Sequence, residues 1–285
     1  MSGPKFSVID TEGISKPLTK LIEAVSSGIG RLYEPTRIRK EAGAKADALV
    51  IATEGDIARH ELLLRAADRL VFQEERRQYN IESVVALGMQ ELPGAVSDEP
   101  VDPDWISRFF AACQDVSHEQ LQILWAKILA GEVAQPGSCS RKTLSILQDL
   151  SPEDALCFRK LCSLAWYDEH DAWVPLNRRG DYPWGEYGLT FADYLQVEAA
   201  GLVHTRGDVA RIIEPEGTLA YHDRLHMISP LSQEKVSVAC LPLTQSGIEL
   251  RTVSGAGPNP QFYQASMQMM VTVYRLAISM VWETT

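Results

Sequence analysis

A chain of 285 residues that is 45% hydrophobic and 23% charged is long enough for two domains with real cores, and its composition excludes a disordered or fibrous class. The formal charge of −11 is unevenly spread: residues 1–92 hold 13 Lys/Arg against 14 Asp/Glu, and the remaining 193 residues hold 14 against 24. The C-terminal part therefore lacks the clustered positive charge that phosphate attraction needs, which argues against general nucleic-acid binding there.

Five cysteines, at 113, 139, 157, 162 and 240, form no C-x-x-C pair and are odd in number. Neither a disulfide framework nor a zinc ribbon is expected, and a reducing cytoplasm fits best. The opening MSGPKFSVIDTEG has no apolar core of signal-peptide length, and no run of 18 apolar residues occurs. The expected location is cytoplasmic, with a peripheral place at the inner membrane as the alternative.

The N-terminal third, residues 1–92, reads as a long-helix arm. Leu18, Leu21, Ile22, Val25 and Ile29 share one face of a helix from about Ser15 to Tyr33, which Glu34-Pro35 should bend or end. Beyond the proline, residues 36–77 carry a second, longer helical pattern that starts basic and proceeds through alanines to Leu62, Leu63, Leu64, Leu70 and Val71. Two uses compete for this arm. In one, the apolar face of residues 14–45 lies on an anionic surface, with Arg31, Arg37, Arg39, Lys40 and Lys45 meeting phosphates. Alternatively the stripe packs on helices of this chain or of a second copy, which the small residues Ser26, Ser27, Gly28, Gly30, Ala42, Gly43, Ala44, Ala46 and Ala48 would admit closely. The second use is favoured, because Glu34 and Glu41 interrupt the basic cluster and no Trp or Phe sits on the apolar face.

Residues 93–102, with two prolines, a glycine and three acids, mark a boundary. A central helical module, 93–167, follows. Asp102-Pro103 starts a helix bearing Trp105, Ile106, Phe109 and Phe110. Ser117 then reads as the cap of a helix whose Leu121, Leu124, Trp125, Ile128 and Leu129 form one broad stripe, ending at a left-handed Gly131. Pro136-Gly137 turns the chain, Ser138 or Ser140 caps the next helix, and Ser151-Pro152-Glu153-Asp154 starts a third.

The run LWAKILAGE, then PGS, a serine and TLSILQDLS, resembles an uncharacterised bacterial family, a domain of unknown function in which such helices precede a small mixed domain. KPLTKLIEAVSSGIGRLYEPTRIRKEAGAKADA at 16–48, ERRQYNIESV at 75–84 and LPLTQSGIEL at 241–250 resemble the same family. The resemblance lends no catalytic residue. It implies genes expected among mobile elements or phage-defence systems, and so an accessory or sensor role in bacterial antiviral defence.

After Tyr167 the texture changes to a C-terminal α+β module, 168–285. Ala172–Leu176 and Val236–Leu241 read as strands, and Thr190 caps a helix that ends at Gly201 before Leu202-Val-His204, a winged-helix-like succession. Between Thr190 and Arg206 the only cation is Arg206, so a structural or protein-binding wing is favoured over a DNA reader. A closing helix is expected from about Asn259 to Trp282, apolar nearly all round with Met267, Met269, Met270 and Met280.

Little in the chain suggests chemistry. His222 and His226 are four apart but lack a third ligand, so solvated or core histidines are favoured over a metal edge. Cys157 and Cys162 read as small core residues. No phosphate-binding, dinucleotide or nucleophile-elbow motif occurs. The expected protein is mainly α with a C-terminal α+β part, non-enzymatic and without cofactor. It is expected to act as an oligomerising scaffold or as the binder of a protein partner encoded nearby, with Trp125 and the arm's apolar face serving packing. A membrane-associated effector and a winged-helix DNA-binding regulator are the alternatives.

Overall fold

The computed structural model describes residues 15–29, 57–177, 183–204, 209–215, 217–232 and 234–283. The chain divides into two compact units, Met1–Leu144 and Ser145–Thr285. Segment 93–102 lies inside the first, where it is tied down: the Ser97 amide donates to Ala134 O at 2.8 Å and Lys20 Nζ donates to Ser97 O at 2.9 Å.

Helices α1 (Lys16–Ile29), α2 (Ile57–Gln90), α3 (Pro103–Cys113), α4 (Glu119–Ala134) and the start of α5 (Arg141–Asp149) make the described part of the first unit. Asp102 caps α3 with its carboxylate on the Asp104 amide, and Pro103 occupies the first turn. α1 packs on α3 at Gly28, where a Cβ would stand 3.0 Å from both Ile106 Cγ1 and Phe110 Cδ2. The core is aromatic: Phe109 meets Trp105 stacked at 5.3 Å and Trp125 edge-on at 5.2 Å between centroids. The last three turns of α2 join this core through Ile81, Val84, Val85 and Gly88, all buried.

Two capping expectations for α4 are corrected. Its N-cap is His118, with no side-chain cap bond, because Ser117 Oγ accepts instead from Asn80 Nδ2 of α2 at 3.1 Å. Gly131 lies within the helix, which runs on to Ala134, and the left-handed glycine is Gly137 (φ 85°). The helix is stabilised past Gly131 by Glu132. This carboxylate is buried and accepts from the Gly137 amide (2.7 Å), Ser138 Oγ (3.1 Å) and the Cys139 amide (3.0 Å). It thereby folds the PGSC turn back on α4 and seats Cys139 O to accept from Trp105 Nε1 at 2.7 Å.

The second unit is α+β. The rest of α5 is followed by α6 (Pro152–Cys162), β1 (Trp166–Tyr167), β2 (Ala172–Pro175), a 3-10 turn (Pro183–Tyr187) and α7 (Phe191–Ala199). Then come β3 (Ala210–Ile213), β4 (Gly217–Tyr221), β5 (Arg224–Pro230), β6 (Val236–Pro242), α8 (Gln245–Arg251), α9 (Pro260–Thr272) and β7 (Leu276–Glu283). The seven strands form one antiparallel sheet in the order β3-β6-β2-β1-β4-β5-β7. Ser151 and Thr190 make capping boxes with Asp154 and Asp193. Thr244 caps α8 and also donates to Gly201 O at 2.8 Å. α8 lies so near the 201–202 turn that a Cβ on Gly247 would stand 2.1 Å from Leu202 O.

The single closing helix expected over 259–282 is also corrected. α9 stops at Thr272, Arg275 takes φ 54°, and the remaining residues form β7 along β5. Tyr274 holds the break: its hydroxyl donates to Leu176 O at 2.8 Å and accepts from the Ala239 amide at 3.2 Å. A run of apolar residues has no period that separates a buried helix from a strand, and Ile278, Val281 and Trp282 are strand formers.

Candidate functional site

Of the residues singled out on the N-terminal arm, Leu21 and Val25 are buried against α3, and Leu18, Ile22 and Ile29 are half-buried. Trp125 is fully buried. Arg31, Arg37, Arg39, Lys40 and Lys45 lie outside the described residues.

His222 and His226 meet different surroundings. His222 forms the turn between β4 and β5 at φ 52°, half-buried, while His226 points inward from β5 and is fully buried. His226 Nε2 shares a hydrogen bond with Tyr263 Oη at 2.7 Å, inside a cluster completed by Trp166 and Tyr221. Tyr221 Oη donates to Ser163 O at 2.6 Å and receives the Asn259 amide at 2.9 Å. Burial lowers the pKa of both histidines and pushes the Tyr221 hydroxyl up to about 12. The cluster is thus held neutral, joining β1, β4, β5 and α9. Among the described residues no group of three or more His, Cys, Asp or Glu is placed to hold a metal ion.

The cysteines among these elements are equally closed. Cys157 Sγ donates to Asp193 Oδ1 (3.1 Å) and to Gln196 Oε1 (3.4 Å), and Lys160 Nζ reaches the same Asp193 oxygen at 3.0 Å. Burial, then the Asp193 carboxylate, push the Cys157 thiol up to about 11. Burial works against ionised Asp193, but the Thr190 amide, Cys157 and Lys160 outweigh it and hold the carboxyl well below its usual range. These groups tie α6 to α7. In an open groove of about 450 Å³ beside β3, Arg211 pairs with Asp168 and Asp171, and Glu214 pairs with Lys235.

The unusual surface lies on α2. Leu62, Phe72 and Tyr79 are 59%, 67% and 61% exposed, while the opposite face, with Leu63, Ala67 and Leu70, is half-buried or buried. One large apolar side chain in water is ordinary, whereas several along one helix stripe mark a contact surface. The stripe ends where Arg77 Nε and Nη2 grip Asp115 at 2.9 and 3.1 Å, joined by Arg76 at 3.2 Å. The Arg77 guanidinium holds the Asp115 carboxyl below its usual range and is itself raised by that bond. A second exposed group, Met227, Met280, Val281 and Trp282, sits where an extra β7 residue bulges between its pairings with Leu225 and His226. Sequence periodicity does not find either patch, because it assigns all the leucines of 62–64 to one apolar pattern without saying which of them is covered.

The family model described as "Protein of unknown function (DUF2806)" matches residues 64–267. No curated protein and no solved structure matches the chain.

Proposed function

The chain belongs to the DUF2806 family of proteins of unknown function, and we propose that it is a non-enzymatic, oligomerising scaffold or partner-binding protein. The observation that carries this reading is the exposed row of Leu62, Phe72 and Tyr79 on α2. Leaving three large apolar side chains in water forgoes about 1.5–3 kcal/mol apiece, which a partner surface recovers. The closed state of the chemistry-bearing groups supports the same reading: the thiols at 157, 162 and 240 are raised to about 11, about 12 and about 11, mainly by burial, and supply no nucleophile at neutral pH. The test is the mass of the full chain by light scattering at micromolar concentration. Assembly above one copy, or a stoichiometric complex with a protein encoded nearby, is the expected result. A single copy that captures nothing contradicts the reading.

Two narrower versions accompany it. The succession Thr190–His204, with α7, Gly201 at φ 74° and a bridge from Val203 to Leu243, fits a winged-helix-like element. α7 has no Lys or Arg and exposes Phe191 and Leu195, which favours a protein partner over DNA. Salt-dependent retardation of duplex DNA by the intact protein would reverse that preference. The role in phage defence rests on the sequence resemblance, and plaque counts with and without the gene test it. Among the described residues no helix is long and apolar enough to cross a membrane.

A further inference from the structure

We infer that two copies of this chain pair through the outer face of α2, parallel and in register, about a two-fold axis running along the helices. This rests on the scaffold reading and names its partner as a second copy. At about 100° per residue, Tyr79 falls about 20° from Phe72 around the helix, so the two rings share one seam. On the Tyr79 side, about 20 to 60° from Phe72, stand Glu61, Asp68 and Glu75. On the other side, over the same span of about 20 to 60°, stand Arg65, Arg76 and Arg69, with Leu62 just beyond. All of these residues are exposed.

The face is therefore two-toned, acidic on one flank and basic on the other, with aromatic rings between. Charge selects the geometry. A two-fold axis along the helices lays the acidic flank of each copy against the arginine flank of the other. A two-fold axis across them, the antiparallel case, would set acid on acid and arginine on arginine. The arginine stems extend the apolar seam while their heads stay at its rim.

The helix is already formed and held from Asn80 onward, where Asn80 Nδ2 donates to Gln114 O at 2.8 Å and Gly88 lies against α4, so pairing bears no cost of helix nucleation. A nucleic-acid occupant fits less well, because the three acids beside the three arginines cancel the field that phosphates would feel.

The test measures dimerisation of the full chain by sedimentation equilibrium. Arg76 is left intact because it also holds Asp115. The double variant Arg65→Glu/Arg69→Glu and the double variant Glu61→Lys/Asp68→Lys should each dimerise at least about tenfold more weakly, since attraction becomes repulsion at several exposed pairs. An equimolar mixture of the two should dimerise as well as the original protein. All five native cysteines are buried, so Tyr79→Cys reports the register and should cross-link to its own counterpart under mild oxidation. If the original chain dimerises and both charge variants match it, the α2 pairing is overturned and the scaffold reading survives through another surface. A Tyr79→Cys protein that cross-links only with Phe72→Cys overturns the parallel register. An original chain that stays single at all concentrations overturns the pairing, and one that also captures no protein encoded nearby overturns both readings. If that single chain also retards single-stranded DNA and the arginine variant does not, the occupant of the face is nucleic acid.

Discussion

The two halves of α2 are the same helix under different constraints. From Asn80 to Gly88 each inward side chain has a partner: Asn80 spans Gln114 and Ser117, while Ile81, Val84 and Val85 are buried. From Leu62 to Tyr79 the outward face carries aromatic rings and paired charge rows into solvent. The first pattern is what a core requires. The second costs solubility without contributing to the fold of one chain, and such a surface persists where another molecule covers it.

Substitutions separate the two halves by size of effect. The largest belongs to the core: Trp125→Ala, removing a fully buried ring that meets Phe109 edge-on, should lower unfolding free energy by about 3–5 kcal/mol, read from a urea titration. Glu132→Ala should follow at roughly 3 kcal/mol, because it strips acceptors from the Gly137 and Cys139 amides and Ser138. Its signature is early protection loss in amide exchange at residues 135–139.

Acidification should have a smaller effect. His222 and His226 have folded pKa values below the ordinary value of about 6.5. The unfolded chain therefore takes up protons that the folded chain refuses as pH falls through that value, and stability should be flat above about pH 7 and decline below about pH 6. His226→Gln should flatten part of that decline; an unchanged slope would show that His226 is not held neutral. The smallest change belongs to the outer face: Phe72→Ala should alter the unfolding free energy of a single copy by no more than about 0.5 kcal/mol at high dilution. A larger loss would place Phe72 in the core and remove the contrast between the halves.

Much of the local architecture is legible in the sequence. Asp102, Ser151 and Thr190 cap where their side chains and the following residues suggest, because a cap is a contact within four residues. What depends on distant partners is not legible. Ser117 is a good cap by type, yet it is drawn away by Asn80, 37 positions earlier. Glu132 reads as an ordinary helical acid until the Gly137 turn closes on it. Residues 276–283 read as helix because nothing local reports that β5 offers them an edge. On α2, periodicity shows that the helix is amphipathic but not which stripe is covered, so the aromatic seam with its acidic and basic flanks emerges only from the structure.

The self-association of α2 is most directly tested by sedimentation equilibrium on the full chain beside its Phe72→Ser/Tyr79→Ser variant. The original protein should form dimers in the micromolar range while the variant sediments as one copy with an unchanged circular dichroism spectrum. Equal masses for the two proteins at every concentration would contradict it.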